Sequence, residues 1–175
     1  MKRTLKGFTL VELLVVIAII GLLSTVAVVA LNSARTKSRD AKRVADVKQI
    51  QTALELYFND KNAYPQMDND TALGVTGATT MLTTNGFVAS GGTTTYMGLI
   101  PLDPIPGNSG AGVLCPNTTP PTTGCTYTYQ ATGTAATSYK MRFRLEEKTA
   151  GLAAGLKCAT EAGITEPTGA GNTCP

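Results

Sequence analysis

The chain has no histidine and no tryptophan, and only 15% of its 175 residues are charged. Without imidazole the commonest general base and metal ligand is missing, so a catalytic site would have to be built from carboxylates, lysine, tyrosine or cysteine. No convergent set of such groups stands out, and the expectation is a chain that is not an enzyme and carries no cofactor. The four cysteines, Cys115, Cys125, Cys158 and Cys174, include no CxxC spacing, which argues against zinc and against any metal. Proline is absent before Pro65, and no charge interrupts positions 13–34. A proline-free, charge-free stretch of that length has nothing in it to stop a helix.

What is present begins with Lys6-Gly7-Phe8-Thr9-Leu10-Val11-Glu12. From position 13 to position 31 only Gly21, Ser24 and Thr25 are not strongly apolar, and about twenty such residues suffice to cross a bilayer as a helix. Glu12 is the anomaly at the mouth of this segment. An acid at the bilayer centre costs roughly 2.5–3.5 kcal/mol on insertion scales, so an ionisable residue there points to function. An ordinary secretory signal cut near Val28-Val29-Ala30 fits poorly, because its apolar region runs to about 7–15 residues and does not open on an acid.

This arrangement of basic leader, glycine, Phe-Thr-Leu-Val-Glu and apolar helix resembles the prepilin signature of type IV pilins and type II secretion pseudopilins. The resemblance implies that prepilin peptidase cuts between Gly7 and Phe8 and methylates the new terminus at Phe8. It also implies that Glu12 pairs with the terminal amine of a neighbouring subunit during assembly. In the cleaved chain the Phe8 ammonium and the Glu12 carboxylate stand four residues apart, one helical turn, so they can compensate each other within or between chains. The leader holds Lys2, Arg3 and Lys6 and no acid, so it accounts for the whole net charge of +3 and leaves no general case for a nucleic-acid partner.

Beyond the apolar run the helix is expected to continue, since positions 32–61 hold neither proline nor glycine. Val44, Val47, Ile50 or Gln51, Leu54 and Phe58 recur at three- and four-residue steps as one apolar face. Asn59-Asp60-Lys61-Asn62 and Pro65 then stop a helix of about 52 residues, roughly 78 Å long. Arg35, Lys37, Arg39, Lys42, Arg43 and Lys48 make a basic stretch that reads as a solvated or lipid-headgroup face. A DNA-binding reading lacks interleaved aromatic residues to stack bases.

A short helix is expected within 71–85, ending near Asn85-Gly86. Positions 126–130 and 138–146 alternate as strands, the second placing Tyr139, Met141, Phe143 and Leu145 on the core side and Lys140, Arg142, Arg144 and Glu146 on the open side. Leu99-Ile100-Pro101-Leu102-Asp103-Pro104 with Tyr127-Thr128-Tyr129 resembles a region of the major pseudopilins. Those proteins carry a calcium-binding carboxylate cluster in a late loop, where this chain offers only Glu161 and Glu166. Of the three connectivities open to four cysteines, the two short closures are favoured, Cys115 with Cys125 and Cys158 with Cys174. Asn69-Asp70-Thr71 and Asn117-Thr118-Thr119 fit glycosylation sequons.

The fold class expected is α+β and pilin-like: a long N-terminal helix, transmembrane in its first half, packed on a small antiparallel β-sheet. Its parts are a leader at 1–7, a transmembrane and filament-core half at 8–34, an amphipathic half at 35–62 and a globular head at 63–175. The function implied is a subunit of a type IV pilus-like filament, a helical homopolymer. Its implied partners are prepilin peptidase, an inner-membrane platform protein and a cytoplasmic assembly ATPase. Its places are the inner membrane before assembly and the extracellular filament after. The alternative is a monomeric membrane-anchored adhesin or binding module, which needs neither Gly7 nor Glu12.

Overall fold

A computed structural model describes residues 7–67, 69–75, 78–104, 125–133, 135–168 and 174. The chain forms two compact units that divide between Thr36 and Lys37. One helix, α1, runs over Leu10–Lys61 with 52 residues. It ends where Asn62 turns to φ +53° and its N–H reaches Phe58 O at 2.7 Å, a left-handed cap that asparagine tolerates.

In the first unit α1 carries no buried residue from Leu10 to Leu31. It is long and apolar enough to cross a membrane. Its two hydroxyls are satisfied on the preceding turn, Ser24 Oγ donating to Ile20 O at 2.7 Å and Thr25 Oγ1 to Leu22 O at 2.8 Å. Neither needs a water partner, so the run stays compatible with hydrocarbon.

In the second unit Val44, Val47, Ile50, Ala53 and Leu54 of α1 enter one core with the strands. The first sheet orders β1 (Thr71–Ala72), β5 (Thr128–Thr132), β6 (Ser138–Leu145), β7 (Gly155–Thr160) and β8 (Gly163–Thr165), all pairs antiparallel. The second orders β3 (Gly86–Val88), β2 (Met81–Thr83) and β4 (Thr95–Met97). Alternation along β6 buries Tyr139, Met141, Phe143 and Leu145, each at or below 1% exposure. The α+β architecture is that of a pilin-like fold. Aromatic rings knit the core, with Tyr64 edge-on to Tyr139 at 4.7 Å and Phe87 edge-on to Tyr129 at 4.8 Å between centroids.

Two readings are corrected. Among the described residues 71–85 hold no helix: β1 and β2 lie there, and Thr84 and Asn85 form the turn that pairs Thr83 with Gly86 across the β2–β3 hairpin. Threonine favours strands, and Asn-Gly is a hairpin signal as much as a helix stop. The outward side of β6 is open only in part: Lys140, Arg144 and Glu146 are half-buried, and Arg142 is withdrawn from solvent. Arg142, set between Thr128 and Cys158 by the register, is 2% exposed and ion-paired with Asp70.

Gly74 is needed where it stands. Its φ is +76°, and a Cβ there would lie 2.9 Å from Leu102 Cδ2 and 3.2 Å from Pro101 O. Only glycine lets the chain after β1 press against residues 100–102.

Candidate functional site

The N-terminal site is set by how α1 begins. Thr9 Oγ1 accepts the Glu12 N–H at 3.2 Å, while the Glu12 carboxylate accepts from Thr9 N at 2.9 Å and from Thr9 Oγ1 at 2.7 Å. This is a capping box, in which N-cap Thr9 and Glu12 satisfy each other's orphan groups. The acid at the mouth of the apolar run thus has local partners within its own chain. Gly7 and Phe8 precede the helix, Phe8 is 84% exposed, and nothing lies within 4 Å of a Cβ placed on Gly7. The bond between them is open to its surroundings. Thr9 was missed as a contributor, although the T-x-x-E spacing before an apolar run is a helix-start signature.

In the second unit the basic stretch proves not to be one solvated face. Arg43 is 1% exposed and holds three carboxylates. Its Nε and Nη2 bond Asp103 at 2.8 and 3.0 Å, and its Nη1 bonds Asp40 at 2.6 Å and Glu146 at 2.7 Å. Asp40, fully buried, also accepts the backbone N–H groups of Glu146 at 3.0 Å and Glu147 at 2.8 Å. Arg39 closes the network on Glu146 at 2.6 Å. The helix, the 99–104 loop and the end of β6 are therefore joined through one guanidinium.

Electrostatics follow from that geometry. Hydrogen bonds from Arg39 and Arg43, against opposing desolvation, hold the Glu146 carboxyl at about 2. Burial alone would lower Arg43, but bonds to Asp103, Glu146 and Asp40 outweigh it and push the guanidinium up. Burial raises Asp46, although the Tyr127 hydroxyl donates to it at 2.9 Å and draws it the other way. Every arginine–carboxylate contact here is internal, so the cluster is a fastening and not an open acid–base pair.

Among the described residues no group of three or more histidine, cysteine, aspartate or glutamate side chains is arranged to hold a metal ion. Glu166 accepts from Lys157 Nζ at 2.6 Å and from Ala153 N at 3.0 Å, while Glu161 stands apart on the β7–β8 turn. Cys158 and Cys174 are joined by a disulfide with Cα atoms 5.4 Å apart. Cys125 is disulfide-bonded and buried against Leu156, and its expected partner Cys115 lies outside the described residues. The Asn117 sequon also lies outside them, whereas Asn69 is exposed.

Residues 2–28 match the prokaryotic N-terminal methylation motif. The chain carries that motif. Its relatives include the type II secretion system core protein G of Pectobacterium carotovorum subsp. carotovorum, 33% identical over 57% of this chain and 61% of the relative. That of Aeromonas hydrophila is 41% identical over 37% of this chain and 45% of the relative. The type IV major pilin protein PilA of Myxococcus xanthus is 32% identical over 37% of this chain and 30% of its own length. The chain thus spans less than two thirds of the length of each. No solved structure matches the chain significantly.

Proposed function

We propose that this chain is a structural subunit of a type IV pilus-like filament. The observation that carries the reading is an N-terminal methylation motif heading an apolar helix whose large side chains from Leu10 to Leu31 are all exposed. Such a surface needs lipid first and other apolar helices afterwards, because each exposed Leu, Ile or Val forgoes about 1.5–3 kcal/mol of burial. Heterologous helix contacts that do not close give an open polymer.

In this reading residues 1–7 are a leader removed by prepilin peptidase, and Phe8 becomes the methylated terminus. Residues 8–34 span the inner membrane and later line the filament core, 35–62 carry the head at 63–175, and a platform protein with a cytoplasmic ATPase drives extraction from lipid. Glu12 meets the neighbour's Phe8 ammonium, so the Thr9 cap is what keeps the carboxylate satisfied until that partner arrives. The role is assembly and not catalysis.

The test expresses Glu12→Val and Glu12→Asp beside the assembly machinery and compares membrane and sheared-filament fractions. Glu12→Val is expected to stay in the membrane, since its filament would bury an unpaired ammonium at several kcal/mol. Glu12→Asp is expected to be milder. Mass analysis is expected to find the mature chain starting at Phe8; an intact Met1 favours the monomeric anchored module instead, whereas wild-type filament levels of Glu12→Val would show that the polymer forms without the Glu12 pairing.

A further inference from the structure

The Cys158–Cys174 disulfide ties the middle of β7 to position 174, and its two cysteines stand in unlike surroundings. Cys158 is wholly buried on a strand that has β6 on one side and β8 on the other, whereas Cys174 is only half-buried. The two sulfurs are therefore not equivalent to a reagent arriving from outside.

Register decides which face of the sheet carries the bond. Cys158 stands across from Arg142 and Thr165 in the outward row, while its neighbours Lys157 and Ala159 alternate to the other face, opposite Phe143 and Met141 of the core. A strand side chain stands roughly perpendicular to its sheet, so Cys174 lies on the outward side of β7 and the core lies behind Cys158.

Thiol–disulfide exchange depends on which sulfur is attacked and on access to it. The attacking group enters along the extension of the S–S bond, so access to each sulfur is decided by what lies behind it. Behind Cys158 are β7 itself and then the core, where Met141 and Phe143 are at or below 1% exposure. Cys174 is approached from the outward side, where its residue keeps some contact with solvent.

We infer that Cys174 is the sulfur at which thiols open and remake this bond, and that Cys158 is the buried sulfur that leaves and returns. An incoming thiolate bonds to Cys174 Sγ, the Cys158–Cys174 bond breaks, and its electron pair departs on Cys158 Sγ. Remaking runs the step backwards: the Cys158 thiolate attacks Cys174 Sγ and expels the visiting thiolate. The exchange consumes no net oxidant or reductant. It does not depend on the filament reading.

Contacts without sulfur hold the sheet ready for the return. β8 pairs with β7 from Gly163 opposite Thr160 to Thr165 opposite Cys158, and Glu166 accepts from Lys157 Nζ at 2.6 Å and from Ala153 N at 3.0 Å. Cys174 follows Glu166 by eight residues, a tether that spans at most about 28 Å, so remaking the bond is an intramolecular step.

The experiment applies sulfite to the oxidised full chain in detergent micelles, quenches with maleimide in denaturant and maps the products by mass. Sulfite converts the sulfur it strikes to an S-sulfonate and releases the other as the thiolate that maleimide marks. In the folded chain sulfonate on Cys174 with maleimide on Cys158 is expected in roughly tenfold excess or more over the reverse, because striking Cys158 must wait for the sheet to open. The same reaction in guanidinium is expected to give both products in comparable amounts. Comparable amounts from the folded chain, an excess of sulfonate on Cys158, or a folded chain that resists sulfite altogether overturns the assignment. A bias that persists in guanidinium overturns it as well, since the fold would then not be its cause.

Discussion

Along α1, residues 10–31 expose every large apolar side chain, whereas residues 40–54 bury Asp40, Arg43 and Asp46 beside Val44, Val47 and Ile50. Both stretches invert the ordinary rule of apolar inside and polar outside, and each for a reason of its own. The first has no partner within its chain, so it demands an apolar environment from elsewhere. The second buries charge because its partners come to it from 60 and more residues away, Asp103 to Arg43 and Glu146 to Arg39 and Arg43. The contrast separates what this chain completes alone from what it leaves for a membrane or for other copies.

The sharpest way to break that contrast is to remove Arg43. Arg43→Ala leaves Asp40 and Asp103 buried without their cation, and breaking a buried pair in this way costs about 3–5 kcal/mol. Asp40 keeps its two backbone donors, which limits its own share of the loss. Urea unfolding of the full chain in detergent micelles measures it. Leu23→Ala in the exposed stretch is expected to leave the same transition unmoved, since Leu23 is 63% exposed. An equal loss from both substitutions would dissolve the comparison.

Within the second unit the two faces of β6 provide the next test. Phe143→Ala empties a fully buried site and is expected to cost about 3–5 kcal/mol. Arg142→Ala is expected to cost about 1–3 kcal/mol, because Asp70 loses its cation but, at 27% exposure, regains some water. A ranking in the reverse order would show that the outward face, and not the helix-facing one, carries the fold.

How far the sequence could be read follows from the same division. The helix was legible because nothing in 32–61 breaks it, and β6 was legible because its alternation is strict. The Arg43 network was not. Pattern reading assigns charge to solvent, and only the fold shows that Asp40 and Arg43 share the buried side of α1 with Val44 and Val47. Their partners sit in a loop and at a strand end, where no periodicity announces them. The 71–85 segment misled for a different reason, since Asn85-Gly86 ends helices and turns hairpins alike. At the N-terminus the motif drew attention to Gly7, Phe8 and Glu12, and Thr9 passed as filler although it is the helix cap.

Acid offers a gentler way to loosen the network than mutation. Glu146 titrates near 2 in the folded chain against an ordinary value of 4.5, a depressed carboxylate. Its contribution is therefore complete above about pH 4.5 and is lost as the pH falls toward about 2. Asp46, raised by burial, runs the other way and gains stability on protonation, which partly masks the loss. Glu146→Gln is expected to flatten the acid limb of the unfolding profile, and Asp46→Asn to steepen it. Solvent around a carboxylate that is 28% exposed keeps the effect below that of Arg43→Ala.

The smallest expected effect tests the first stretch on its own terms. Thr9 Oγ1 both accepts from Glu12 N and donates to the Glu12 carboxylate, so Thr9→Ala removes the side-chain half of the cap and leaves only the Thr9 N–H on Glu12. Losing an N-cap costs about 0.5–2 kcal/mol of local helix stability. Packing in the first turn does not replace it, because Leu10, Val11 and Leu13 are all exposed to the surroundings. Hydrogen exchange of the chain in micelles is expected to show faster exchange at Leu10, Val11 and Glu12 alone, with the Arg43 region unchanged. Thr9→Ser keeps the hydroxyl and is expected to restore protection. Unaltered exchange in Thr9→Ala would mean that the surrounding lipid or detergent, and not the capping box, holds the start of the helix, and the carboxylate of Glu12 would then have to find its partner outside the chain from the outset.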